Sequence, residues 1–377
     1  MSSTFTRRAA MLSAAVAPLI RLGESQPRLR NVVISSANRN NGGVNCCAKA
    51  MEIVLSGGDT LDAVIAGVNI VELDPRDNSV GYGGLPNEDG VVELDASCIH
   101  GPSRRGGAVG ALRNIRTPSR VAKAVMEETD HMMLVGDGAL RFAKAMGFKE
   151  EDLLTEESRI AWMAWKKSLK DPSGHSNWGP GLDAPPAKKK AGMLRELKEM
   201  FPQASDEVLA EAWECAVHPP HGTINCIALS EKGEMSAVTT TSGMAWKIPG
   251  RVGDSPIRGG GVWLDQDVGG AGSTGRGEEN IRVCGAHTCV ENMRHGMSPK
   301  EAALDSLQRV VRNFDNDMER LAQVDLNFYV LRKDGEYCGA SLWDRPSANS
   351  SRVAQFAVCT DAGQSRQENS VYLLRRK

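Results

Sequence analysis

The stretch that decides the fold reads His221-Gly222-Thr223-Ile224-Asn225-Cys226-Ile227-Ala228-Leu229. A Gly-Thr peptide is followed at once by an apolar run with the character of a buried β-strand. If the bond before Thr223 were cut, this threonine would begin a new chain. It would then carry a hydroxyl and an α-amino group on one residue.

Three segments downstream of Thr223 combine hydroxyls, charges and glycines. A threonine hydroxyl is a poor nucleophile unless a neighbouring base takes its proton. No Gly-x-Ser-x-Gly elbow surrounds the serines of the apolar strands. A freed α-amino group, with a pKa of roughly 7.7–8.0, would supply the base. The pattern therefore suggests an amino-terminal nucleophile enzyme. The segments are Thr239-Thr240-Thr241-Ser242-Gly243, Gly250-Arg251-Val252-Gly253-Asp254-Ser255-Pro256 and Gly272-Ser273-Thr274-Gly275-Arg276-Gly277-Glu278-Glu279.

The region from Thr223 to about Gly296 resembles the start of the β-chain of the glycosylasparaginase family. Upstream, residues 74–86, 89–96 and 131–139 resemble segments of that family's α-chain, in the same order. The resemblance covers roughly residues 31–339, apart from an insert. It implies an α+β fold, the four-layer αββα sandwich of the Ntn hydrolases, in which Thr223 opens a central strand. It also implies self-cleavage between Gly222 and Thr223 into α and β chains.

The resemblance carries further roles onto matching residues. Thr241 corresponds to the residue that hydrogen-bonds and tunes the nucleophile. Arg251 corresponds to the group that binds the substrate α-carboxylate, for which a guanidinium fork is well suited. Asp254 corresponds to the partner of the substrate α-ammonium. Thr274 and Gly275 correspond to the pair that stabilises the oxyanion.

The function implied is hydrolysis of the amide that joins an asparagine side chain to N-acetylglucosamine, giving aspartate and the aminosugar. Two departures leave alternatives open. The family usually has an aspartate before the nucleophile, where this chain has Gly222, and a tryptophan where it has Ala37. Both changes favour an L-asparaginase or β-aspartyl (isoaspartyl) peptidase as the second interpretation. An unprocessed, inactive binding protein is the alternative from another class.

Composition excludes several other classes. The chain has 377 residues, 41% of them hydrophobic and 24% charged, and a net charge of −2, which gives no reason to expect a nucleic-acid partner. We expect no cofactor and no metal, because His218-Pro219-Pro220-His221 offers two imidazoles without a third ligand nearby. Nine cysteines cannot all pair in one chain, and most are expected to be small buried side chains. A homodimer of αβ units is expected from the resemblance.

Residues 1–25 predict an export signal. Arg7 and Arg8 precede the apolar run 9–20, which is too short to span a membrane and resembles a twin-arginine signal. Export would place the protein in the periplasm or outside the cell; a nonfunctional signal would leave it cytoplasmic. The α-chain would then be 31–222 and the β-chain 223–377, together forming one composite catalytic domain. Within the α-chain, residues from about 168 to 220 are expected to form a mobile surface insert, because prolines and glycines crowd its first half.

The remaining elements follow from local signals. Helices are predicted over 46–55, over 59–73 with an Asp59 or Thr60 cap, over 118–128, 138–146, 277–293 and 298–313. Strands are predicted over 31–36, 91–96, 106–112, 132–135, 224–229, 235–240, 327–332, 337–342 and 355–358.

Overall fold

A computed structural model describes residues 30–37, 42–169, 190–220, 222–315, 317–346, 350–361 and 363–376. The predicted export signal, His221 and the Pro/Gly-rich part of the predicted insert lie outside these residues.

The described chain alternates helices and strands. The strands are β1 (Val32–Ser36), β2 (Leu94–His100), β3 (Arg105–Leu112), β4 (Met133–Val135), β5 (Ile224–Leu229), β6 (Met235–Thr241), β7 (Val262–Asp265), β8 (Gly269–Gly275), β9 (Leu326–Arg332), β10 (Tyr337–Trp343), β11 (Gln355–Thr360), β12 (Arg366–Asn369) and β13 (Val371–Leu374). The helices are α1 (Gly42–Leu55), α2 (Thr60–Glu72), α3 (Pro118–Glu128), α4 (Gly136–Ala145), α5 (Glu156–Ser168), α6 (Lys190–Met200), α7 (Asp206–Val217), α8 (Gly277–Val283), α9 (Gly285–Arg294), α10 (Pro299–Arg312) and α11 (Met318–Leu321).

Two mainly antiparallel sheets organise these elements. The first has eight strands in the order β12-β11-β1-β5-β6-β2-β3-β4, and the second has five in the order β13-β10-β9-β8-β7. Helices α1, α2 and α3 pack on one face of the first sheet, and α9 and α10 pack on the second. The mixed α/β architecture expected from the sequence is confirmed.

The alternation of β5 shows how this strand joins two cores. Ile224, Cys226 and Ala228 face the helices α1 and α2, whereas Ile227 and Leu229 face a core shared with β7 and β9 of the second sheet. Because side chains alternate along a strand, Thr223 belongs to the set that faces the second sheet. The nucleophile candidate therefore precedes an interior strand at the level where the two sheets meet.

Two expectations need correction. The helix predicted over 277–293 is interrupted at Cys284, whose φ of +46° is left-handed and ends α8 before α9 begins. The second half of the predicted mobile insert folds as α6 and α7 and packs against α5. Met193, Leu197 and Trp213 are buried there, and Trp165 of α5 stacks on Trp246 at a centroid distance of 5.3 Å. Apolar positions at helical spacing in 193–216 form a buried cluster together with α5 and the chain around Trp246.

Cysteine chemistry matches the expectation from composition. All nine cysteines carry free thiols, and all but Cys284 are buried. Burial raises the pKa of the Cys98 thiol to about 12, which keeps it protonated and unreactive. These thiols contribute to packing.

Candidate active site

Thr223 is held at the edge of β5 by its own backbone. Its carbonyl oxygen accepts a hydrogen bond of 3.1 Å from the Ser36 hydroxyl at the end of β1. The same hydroxyl accepts a hydrogen bond of 3.1 Å from the backbone N–H of Asn225. These contacts fix where the strand begins and leave the peptide before it at the margin of the sheet.

That preceding peptide contacts the end of the neighbouring strand β6. The Thr241 hydroxyl donates a hydrogen bond of 2.8 Å to the Gly222 carbonyl oxygen. It accepts one of 2.9 Å from the N–H of Gly243. Thr241 is buried, whereas the bond itself is partly buried and borders the smaller cleft described below. The carbonyl that Thr223 would attack during self-cleavage is therefore already polarised.

Two clefts meet at Gly222 and Thr223. One of about 250 Å³ also includes Thr241, Arg251 and Asp254 in its lining. A second cleft, of about 410 Å³, includes Thr274 in its lining. Gly222 and Thr223 line both clefts. All seven residues singled out in the sequence, Gly275 among them, border one cleft or both.

Thr274 and Gly275 end β8 beside the nucleophile. The Thr274 and Tyr329 hydroxyls lie 2.8 Å apart and share a hydrogen bond. Burial raises the pKa of Tyr329 well above its usual value, against the opposing effect of that bond, so the phenol keeps its proton. Gly275 has a φ of +115°, and a Cβ there would lie 2.2 Å from the carbonyl oxygen of Asp325. Only glycine fits this position beside the cleft.

Arg251 is paired, though not with Asp254. Its Nε and Nη2 donate to Glu278 Oε1 at 2.9 and 2.7 Å. Partial burial acts to raise the pKa of Glu278, but the charges of Arg251 and Arg276 outweigh it and hold that pKa below the usual value. Glu278 therefore stays ionised and aims the guanidinium at the cleft. The sequence contains Glu278 in a quoted segment, yet nothing local assigns it this role.

Asp254 is buried at the base of the same cleft. Its Oδ2 accepts hydrogen bonds from the Ser273 hydroxyl at 2.6 Å and from Asn280 Nδ2 at 2.7 Å. Burial raises the pKa of Asp254, although these hydrogen bonds act in the opposite direction. A buried carboxylate with a raised pKa gains from a cationic partner, which the α-ammonium of an amino acid would provide. Ser273 and Asn280 were not singled out in the sequence.

A buried lysine lies behind these groups. Lys247 is fully buried, and its Nζ donates to the carbonyl oxygens of Glu93 and Ser242 at 2.9 and 3.0 Å. The Glu93 carboxylate in turn accepts the N–H of Gly250 at 3.0 Å. These bonds hold Lys247 and Gly250, which lie on the segment that leads into Arg251.

Two features of the described residues bear on other functions. Across the described ranges, no group of three or more His, Cys, Asp or Glu residues is arranged to hold a metal ion. His218 lies within those ranges, whereas His221 does not. In the same part of the chain, no helix has the length and apolar character needed to cross a membrane.

The fold is that of a mixed α/β protein, and its two clefts meet at Gly222 and Thr223. A family model described as Asparaginase matches residues 24–325. The chain belongs to this asparaginase family.

Named relatives cover most of the chain. It is 39% identical over 318 residues to an N(4)-(beta-N-acetylglucosaminyl)-L-asparaginase of Elizabethkingia miricola, spanning 84% of this chain and 80% of that protein. A mouse protein of the same name is 36% identical, over 72% of this chain and 76% of the mouse protein. An Arabidopsis thaliana protein named "Probable isoaspartyl peptidase/L-asparaginase 3" is 33% identical, over 77% of this chain and 80% of that protein.

Proposed function

We propose that this protein hydrolyses the amide between an asparagine side chain and N-acetylglucosamine, after self-cleavage at Gly222–Thr223 frees the nucleophile. The observation that carries the proposal is the position of Thr223 between two clefts. One cleft holds the charges suited to an amino-acid head group, and the other has room for a leaving group. The names of the bacterial and mouse relatives support the same substrate.

The proposed reaction uses each group in turn. Arg251 binds the substrate α-carboxylate and Asp254 the α-ammonium, which sets the side-chain amide beside Thr223. The α-amino group of Thr223 takes the proton of its own hydroxyl, and the oxygen attacks the amide carbon. Thr274 and the N–H of Gly275 stabilise the oxyanion, while Thr241 tunes the nucleophile.

The remaining steps release the two products. The carbon–nitrogen bond breaks, the proton passes to the leaving amine, and an aspartyl ester with Thr223 remains. Water then hydrolyses this ester to give aspartate. In this proposal the fold is the four-layer αββα sandwich, cut into α (31–222) and β (223–377) chains that together form one site.

A substrate panel tests the proposal. Purified, self-cleaved protein is offered N-acetylglucosaminyl-asparagine, free asparagine and β-aspartyl dipeptides. We expect the highest kcat/KM for the glycosylated asparagine. A preference of tenfold or more for either of the other substrates would overturn it.

An asparaginase or β-aspartyl peptidase remains the second candidate, favoured by one feature of the second cleft. Ala37 lines that cleft, so its methyl group replaces the aromatic wall that the resemblance leads one to expect. Variants of Arg352 and Gln367, which line the same cleft, separate the candidates. Truncation to alanine should lower kcat/KM for glycosylated asparagine and leave free asparagine, which releases only ammonia, within twofold. Equal losses for both would contradict a leaving-group role for this cleft.

Export through residues 1–25 and a homodimer of αβ units are also part of the proposal. Fractionation of cells that express the whole chain should place the protein outside the cytoplasm, and replacing Arg7 and Arg8 by lysine should retain it inside. Sedimentation should give the mass of two αβ units. Cytoplasmic retention of the unaltered chain, or the mass of one unit, would contradict the respective statement.

A further inference from the structure

The peptide before Thr223 is packed against a serine of the α-chain. A Cβ built on Gly222 would lie 1.7 Å from Ser79 Oγ and 2.1 Å from Ser79 Cβ. Such distances leave no space for any side chain at residue 222. The Ser79 hydroxyl thus takes the place that a side chain at 222 would fill, directly beside the bond to be cut.

Ser79 is itself bonded to a buried carboxylate. Its hydroxyl donates to Asp77 Oδ1 at 2.5 Å, and its N–H donates to the same oxygen at 3.2 Å. Asp77 and Ser79 are 3% and 5% exposed. The Ser79 carbonyl oxygen accepts the N–H of Ser242, the residue after Thr241, at 3.0 Å. The pair is therefore fixed relative to Thr241, which binds the Gly222 carbonyl from the end of β6.

The two contacts give the Gly222–Thr223 bond complementary neighbours. Thr241 donates to the carbonyl oxygen of Gly222, as a group that stabilises an oxyanion must. Ser79, backed by the Asp77 carboxylate, lies in the same cleft lining as Thr223. A hydroxyl bonded to a carboxylate can pass a proton on to that carboxylate.

We propose that Asp77 and Ser79 are the proton-accepting pair for self-cleavage of this chain. The inference rests on the proposed function, because it concerns the step that frees Thr223. The Thr223 hydroxyl gives its proton to Ser79 Oγ as Ser79 gives its own to Asp77, and Thr223 Oγ bonds to the Gly222 carbon. The bond from that carbon to the Thr223 nitrogen breaks, and the proton returns through Ser79 to this nitrogen. Water then hydrolyses the ester between Gly222 and Thr223, so the overall step consumes one water.

The first test follows loss of the full-length precursor by intact mass in freshly purified protein. Asp77→Asn and Ser79→Ala should slow cleavage by about 10²-fold or more, the usual contribution of a positioned base. Ser158→Ala is the matched control, because Ser158, like Ser79, is a buried serine of the α-chain. Its hydroxyl donates to the backbone carbonyl oxygen of Gly83 and not to a carboxylate. This control should cleave within threefold of the wild type. Wild-type rates in both Asp77→Asn and Ser79→Ala would overturn the proposal.

A second test separates proton transfer from structural support. Ser79→Gly removes the atoms that fill the space beside residue 222. Adding Gly222→Asp to it should restore cleavage at least tenfold over Ser79→Gly alone, because the new carboxylate replaces the lost base. Adding Gly222→Asn, which has the same shape without the base, should not. Equal cleavage with aspartate and asparagine would overturn the proposal, even if the single variants fold poorly.

The outcomes also separate this inference from the function on which it rests. A wild-type chain that stays intact would overturn both. A wild-type chain that cleaves at Thr223 and hydrolyses glycosylated asparagine, with Asp77→Asn cleaving equally fast, would overturn the inference alone.

Discussion

The Thr241 hydroxyl donates a hydrogen bond of 2.8 Å to the carbonyl oxygen of Gly222, the residue before the nucleophile candidate. The bond joins the end of β6 to the chain that enters β5, its antiparallel neighbour. In the proposed self-cleavage, this acceptor is the carbonyl that Thr223 would attack. After cleavage the same hydroxyl would lie beside the new amino terminus.

Thr241→Val tests this bond. The isosteric change removes the donor to the Gly222 oxygen, and loss of one oxyanion donor typically costs about 10²- to 10³-fold in rate. We expect precursor cleavage to slow by about that amount, measured by intact mass over time. Thr129→Val is the control, because Thr129 donates to a backbone carbonyl at the end of α3, away from the site. Cleavage of Thr241→Val at the control rate would remove Thr241 from the processing step.

Arg251→Lys tests recognition of the α-carboxylate. Lysine keeps the charge but cannot donate as a planar fork while also bonding Glu278. KM for the glycosylated asparagine should rise about tenfold or more, with a smaller change in kcat. The control is a substrate whose α-carboxylate is esterified, on which wild type and variant should differ little. Equal penalties on both substrates would show that Arg251 does not read that group.

The burial of Asp254 predicts a pH dependence of binding. Its raised pKa means that it loses its charge, as pH falls, earlier than an ordinary carboxyl group. KM for substrates with an α-ammonium should therefore rise on the acid side, while a substrate without the amino group shows no such rise. Asp254→Asn should give a high KM that no longer depends on pH in this range. A variant with the wild-type acid profile would place the titrating group elsewhere.

Glu72 predicts a pH dependence of stability. It is fully buried under β6, and burial raises its pKa from 4.5 to about 7, against hydrogen bonds from Thr240, Ser119 and Asn69. Its stabilising contribution is present in full below pH 4.5 and is lost as pH rises through 7. A pKa change of this size corresponds to roughly 3 kcal/mol in the free energy of unfolding. The melting temperature should thus fall more steeply from pH 5 to pH 8 in the wild type than in Glu72→Gln. If the melting temperature fell equally steeply with pH in the wild type and in Glu72→Gln, Glu72 would not be the group that loses its proton.

Local signals in the sequence predicted much of the framework. Asp59 caps α2 and Ser298 caps α10 with a capping box, as side chains that accept the first backbone N–H groups do. The strand after Thr223 followed from its apolar run. The break at Cys284 was missed, because a left-handed residue without glycine leaves no local signal. The burial of α6 and α7 against α5 was missed, because the prolines that precede α6 suggested a mobile surface insert.

The sequence predicted which residues border the clefts, but not which side chains contact one another there. The seven residues taken from the resemblance border the two adjoining clefts, while their roles remain predictions. The pairings join residues far apart in the sequence. Arg251 donates to Glu278 and Asn280 donates to Asp254, while Ser79 packs against Gly222. No periodicity or capping rule reports such contacts, since they arise only when separate elements pack.

The most direct test of the central claim is the mass and amino-terminal sequence of the purified wild-type protein beside Thr223→Ala. The account predicts two fragments from the wild type, the smaller covering residues 223–377 and beginning Thr-Ile-Asn-Cys, together with amide hydrolysis. It predicts an intact, inactive chain for Thr223→Ala. A wild-type chain that hydrolyses the substrate while remaining whole, or a Thr223→Ala chain that retains full activity, would contradict it.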